Sequence, residues 1–140
     1  MGRVNMGRVI VGGLIAGILI NASEFVLNTF VVAEDMAAAM KAMNVPAMDT
    51  SQIPVFMVLG FLLGIVTVWL YAAIRPRFGP GVATAVYAAL AVWFLAYAYP
   101  SAFLMLMHVF PQKGMTISVV WGLVEIVVAG IAGAWAYTEA

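Results

Sequence analysis

The sequence predicts an all-α protein, a polytopic transmembrane four-helix bundle that forms a single domain over residues 1–140. Three observations carry that expectation. Hydrophobic residues make up 66% of the chain and charged residues 9%, against about 25% charged in a soluble domain whose surface must face water. The apolar residues fall in four long runs, and a hydrocarbon layer of about 30 Å takes about 20 helical residues to cross. These runs are unbroken instead of alternating, which selects helices over barrel strands, the two structures that satisfy their own backbone inside lipid.

The predicted spans cover residues 9–32, 53–74, 82–110 and 117–137. Arg3 and Arg8 ahead of the first run resemble the start of a signal peptide. Cleavage after Ala22, however, would place Ile20 where a small residue is preferred, and the apolar pattern continues to Val32, so the span is read as retained. Pro100 interrupts the third span and should kink it, because proline removes a backbone donor. The tract Arg75-Pro76-Arg77-Phe78-Gly79-Pro80-Gly81 reads as a tight turn between the second and third spans. Arg3, Arg8, Arg75 and Arg77 then share one side of the membrane, and Lys41 and Lys113 the other. The positive-inside bias therefore expects a multi-pass protein with both termini in the cytoplasm.

Spans two and four end alike. Gly64-Ile65 with Trp69 and Tyr71 matches Gly130-Ile131 with Trp135 and Tyr137 in the pattern G-I-x-x-x-W-x-Y, and Ser23 and Ser101 occupy comparable places in spans one and three. A parallel duplication of a two-helix hairpin would explain this, and so would the common use of these residue types at these depths. Between the first two spans, 33–43 has early acids (Glu34, Asp35), a late Lys41 and a stripe of Met36, Met40 and Met43, which predicts an amphipathic helix ended by Pro46.

The chemistry-bearing residues are few. Gly13, Gly17, Asn21, Glu24 and Asn28 share one face of the first span. Glu24 lies roughly 24 Å along the helix from Arg8, and a lone carboxylate at that depth must be protonated, paired or wet. Glu125 sits mid-way along the fourth span on a face with Gly122 and Gly133, while Gly60, Gly64 and Thr67 mark a face of the second. The expected interior is a polar cluster of Glu24, Glu125, Asn21, Asn28 and Thr67, with Tyr97 or Tyr99 as further members. Gly13, Gly17, Gly60, Gly64, Gly122 and Gly133 are the expected helix-packing positions. His108, near Met105 and Met107, is the sole candidate metal ligand, but methionine also fills apolar contacts and no metal is expected.

Gly12-Gly13-Leu14-Ile15-Ala16-Gly17, Asn21-Ala22-Ser23-Glu24-Phe25, Arg75-Pro76-Arg77-Phe78-Gly79-Pro80-Gly81 and Val120-Trp121-Gly122-Leu123-Val124-Glu125 run through most of the chain. In these the chain resembles small uncharacterised bacterial integral membrane proteins of four spans. The resemblance implies a four-span fold in the bacterial inner (cytoplasmic) membrane and brings no activity, cofactor or residue role.

The functional expectations follow from presence and absence together. Net charge is zero, so nucleic acid is not an expected partner, and Cys is absent, which removes disulfide, thiolate and cysteine-nucleophile chemistry. No nucleotide, zinc-hydrolase, serine-hydrolase or dithiol signature occurs, so neither an enzyme nor a cofactor is expected. The leading expectation is an oligomeric assembly, or a structural or accessory subunit, surrounded by the lipid bilayer and other membrane subunits. The alternative is a small proton- or cation-handling carrier or channel that uses buried Glu24 and Glu125.

Overall fold

The computed structural model describes residues 2–139. It is an all-helical four-helix bundle, with no strand among the described residues. The helices are α1 (Met6–Val26), α2 (Ala33–Ala42), α3 (Ile53–Phe78), α4 (Val82–Trp93), α5 (Tyr99–Leu106) and α6 (Gln112–Trp135). Four stretches among the described residues are long and apolar enough to cross a membrane: Met6–Val31, Thr50–Phe78, Val82–Leu106 and Gln112–Trp135.

The ends of these helices differ from the sequence expectation for local reasons. The second span does not stop before Arg75. It runs through Pro76 to Phe78, and the turn is confined to Gly79-Pro80-Gly81, where Gly79 (φ 84°) and Gly81 (φ 122°) hold left-handed backbone that a side chain would strain. The buried Thr84 hydroxyl donates to the Gly79 carbonyl at 2.6 Å and fixes the start of α4. The third span ends at Leu106 instead of 110, because His108 adopts φ 53° and the Val109 N–H returns to the Leu104 carbonyl. The fourth span starts directly after Pro111, five residues earlier than expected, and leaves Tyr137 outside the helix. Helix α2 is present, but Asn44 (φ 55°) stops it, with the Val45 N–H bonded to the Met40 carbonyl, before Pro46 is reached.

Pro100 acts through the turn before it. Phe94–Ala98 opens into a π-helical turn closed by the Tyr99 N–H on the Phe94 carbonyl. A proline in regular α-helix clashes with the carbonyl four residues back, and the wider turn relieves that contact. The first span carries a similar turn at Leu27–Val31.

Small residues set the packing. A Cβ on Gly64 would lie 2.5 Å from the Gly13 carbonyl oxygen and 2.6 Å from the Gly17 nitrogen, so the first and second spans touch backbone to backbone. Gly12 and Gly133 bring the first and fourth spans equally close. The Cβ of a residue at 130 would meet Ala89 at 3.2 Å, so the glycines of the two G-I-x-x-x-W-x-Y motifs each face the preceding span. In both motifs Tyr is buried and Trp exposed, and Tyr71 and Tyr137 meet edge to face at 5.9 Å.

The main buried cluster reaches from the end of the bundle that holds both termini to its middle, and Leu27, Val32 and Met115 are buried apart from it. Within the cluster Val9, Ala16 and Ile20 pack with Val68, Ala72, Ala85, Ala88, Ile126 and Ala129. Arg75 closes the end that holds the termini, bridging Glu139 at 3.0 Å and lying over the Tyr137 ring, whose hydroxyl accepts from the Asn5 N–H. The opposite end is open: residues 51–59 at the start of the second span are exposed throughout.

Candidate functional site

Where the main buried cluster gives way to the more open half, three spans converge on one carboxyl group. Glu125 is the one buried acidic residue among those described, with 6% of its surface exposed. Glycine creates its setting: a Cβ at Gly122, one turn before it, would strike the Tyr97 ring. That vacancy admits Tyr97 from the widened turn of the third span, and the Tyr97 hydroxyl donates to Glu125 Oε2 at 2.6 Å. Pro100, the π turn, Gly122 and Tyr97 are therefore successive links to one hydrogen bond.

The first span supplies the other side. The Glu24 carboxyl and the Ser23 hydroxyl both lie within interaction range of Glu125. Ser23 Oγ accepts the indole N–H of Trp121 at 2.8 Å, which ties the first span to the fourth one turn before Glu125. The Asn28 amide donates to Glu24 Oε2 at 3.0 Å and to the Glu24 carbonyl at 2.8 Å, holding the carboxyl from behind. Glu125 Oε1 is buried and has no donor. The one ion pair among the described residues is Arg75–Glu139, so no cation among them answers either carboxylate.

The expected cluster is thus partly formed. Glu24, Glu125 and Asn28 come together and Tyr97 joins them, whereas Tyr99 is exposed and meets Phe103 edge to face. Asn21 turns instead to the second span, donating to the Met57 carbonyl at 3.1 Å and filling the space over Gly60. Thr67 is buried, but its hydroxyl is satisfied by the Leu63 carbonyl of its own helix at 2.8 Å, so it stays apart from the carboxyls. Gly13, Gly17, Gly60, Gly64, Gly122 and Gly133 all make close contacts within the chain. His108 is exposed and serves as the left-handed stop of α5. Ser23 and Trp121 were not singled out as site residues by sequence. The available signal was their position: Trp121 is one turn from Glu125, and Ser23 adjoins Glu24.

The site opens sideways. A cleft of about 660 Å³ runs along α6 from Thr116 to Val128, closed on its other side by Leu19 and Ser23 of α1, with Trp121 and Glu125 in its wall. Apart from those two, Ser23 and Thr116, its lining is aliphatic. A second cleft of about 620 Å³, bounded by Ile15, Ile131, Ala132 and Trp135, continues it toward the termini and shares Val128. Leu19, Val120, Val124 and Val128 are exposed on the outer surface of the bundle, so the groove faces whatever surrounds the helices. Comparison of the chain with protein families, curated proteins and solved structures gives no match.

Proposed function

We propose that this chain is a multi-pass protein of the bacterial inner membrane, both termini cytoplasmic, that takes up and releases a proton or cation at the Glu24–Glu125 pair. One observation carries the reading: two carboxyl groups from different spans lie together, with Tyr97 donating to one oxygen and the other oxygen of Glu125 buried without a donor. In a low-dielectric setting two adjacent carboxylates do not both ionise cheaply, so the pair holds one proton between its members, and intramembrane carboxyls of this kind serve proton and cation pathways. The glycine faces that would otherwise favour an interface between copies are spent inside the bundle. The clustering of Arg3, Arg8, Arg75 and Arg77 about the end that holds both termini supports the orientation.

The test is proton flux in vesicles reconstituted with the purified protein under an imposed pH gradient. Glu24→Gln and Glu125→Gln keep the shape of the pair and should abolish flux, while Asn21→Ala should retain it. Flux no greater than in protein-free vesicles, or unchanged in both glutamine variants, overturns the reading.

A second reading, self-association or a place as an accessory subunit, rests on the second span. Val55, Phe56, Met57, Val58 and Leu59 are exposed in succession, so the side chains at its outer end are left largely uncovered by the rest of the bundle. The mass of the detergent-extracted particle decides it, since a stable complex supports assembly and a lone 14.9 kDa chain does not.

A further inference from the structure

We propose that the groove between α1 and α6 binds a lipid-soluble organic monocation, drawn laterally from the bilayer and held by Glu125 in exchange for the proton of the carboxyl pair; this rests on the proton-holding reading of Glu24 and Glu125. The argument is one of matching. The cleft of about 660 Å³ falls within the roughly 300–1,000 Å³ of small-molecule sites. Its aliphatic walls suit an apolar ligand, but a neutral one would leave the Glu125 carboxyl in the wall without a counter-charge. An inorganic cation needs about six or more oxygens to replace its water, and this wall offers Glu125, Ser23 and Thr116 alone. An anion is repelled by the pair. An organic cation carries its charge inside its own apolar shell, so aliphatic walls and one carboxylate suffice. Trp121, fixed by its bond to Ser23, adds an aromatic surface of the kind that attracts such cations.

The groups facing Glu125 decide the exchange. Glu24 comes from the first span and Tyr97 from the third, Trp121 lies on its own helix, and the second span brings no charged group to it. With one proton on the pair, the protonated carboxyl supplies the donor that Oε1 lacks. When the ligand enters, its positive charge replaces that proton, which leaves to solvent. The balance is one cation bound for one proton released, with no other co-reactant.

The experiment uses the full chain in detergent, with tetraphenylphosphonium as probe and tetraphenylborate, an anion of the same shape, as control. Binding is followed by equilibrium dialysis and proton release in weakly buffered solution, and the protonated-carboxyl band is read by infrared spectroscopy on the same samples. The phosphonium should bind with release of close to one proton, and the borate should not bind. Glu125→Gln should weaken phosphonium binding by at least about tenfold, since a buried charge loses its partner, and abolish proton release. Val124→Trp, which fills the groove from its exposed rim, should weaken binding while the carboxyl band persists. Equal binding of phosphonium and borate identifies a greasy surface, such as an acyl-chain site, and overturns the proposal. So does absence of phosphonium binding while the carboxyl band is present and lost in Glu125→Gln, and in that case the proton-holding pair still stands. Absence of the band in the wild-type protein overturns the pair reading itself.

Discussion

Replacement of Gly64 by alanine probes the contact on which the arrangement of the first two spans depends. The added Cβ would lie 2.5 Å from the Gly13 oxygen, 2.6 Å from the Gly17 nitrogen and 3.0 Å from the Gly17 Cα. All three are backbone atoms, so no rotamer change relieves the overlap. Restoring ordinary contact at 3.4 Å requires the spans to separate by about 0.9 Å. That separation also loosens Gly13 against Ile65 and Gly17 against Phe61, and a gap of 0.5–1 Å forfeits roughly a quarter to a half of each atomic attraction. Overpacking of this kind costs about 1–3 kcal/mol, and rigid backbone on both sides places Gly64→Ala at the upper end. The better helix propensity of alanine returns about 1 kcal/mol, for a net loss of about 2 kcal/mol. Gly114→Ala is the matched control: its nearest neighbours, Asp35 Cβ and Oδ2, stand at 3.8 Å, so that variant should be neutral or gain up to about 1 kcal/mol. Unfolding in mixed micelles, followed by circular dichroism against increasing sodium dodecyl sulfate, measures both. Equal stability of the two variants would refute the close approach of the spans. Gly13→Ala combined with Gly64→Ala should cost less than the sum of the single changes, because both open the same gap.

Two further outcomes follow from the structure. Tyr97→Phe removes the one donor on Glu125 Oε2 and should destabilise the bundle by about 0.6–2 kcal/mol in the same unfolding assay; wild-type stability in that variant would remove Tyr97 from the site. At Asp49 the Ser51 hydroxyl and then the Ser51 N–H hold the carboxyl below its usual 3.8. A lowered value means that the cap is complete above that usual value and is lost as pH falls through the lowered one. Amide exchange at Ser51 and Gln52 should therefore quicken below about pH 3.8, and Asp49→Asn should flatten that dependence.

Much of the bundle was legible because its signals are local. Long apolar runs bounded by Arg, Pro and Gly give four helices whatever their neighbours do. The glycines at four-residue spacing marked contact faces, since only close approach makes a missing side chain useful. The ends were less legible. Asn44 and His108 stop their helices by left-handed backbone, and nothing in their identity distinguishes that role from an ordinary polar loop residue. The turn tract was read too long, because Pro76 looks like a breaker although the helix tolerates it within its last turn.

The candidate site divides in the same way. That Glu24 and Glu125 are expensive in lipid, and so require a proton or a partner, follows from their type and depth alone. That they meet each other does not, because helical periodicity gives the face a residue occupies and not which helix stands opposite. Asn21 and Thr67 lie on the predicted faces, yet one bonds the second span and the other its own helix. The sequence by itself determined four helices long and apolar enough to cross a membrane, two of them carrying a carboxyl that would be costly there. Only the tertiary structure decided that the first and fourth spans face each other across a lateral groove, that Gly122 yields its place to Tyr97, and that one oxygen of Glu125 is left buried without a donor. The physical reason is that patterning fixes which side of a helix avoids lipid, whereas the fit of small residues against particular neighbours fixes the partner.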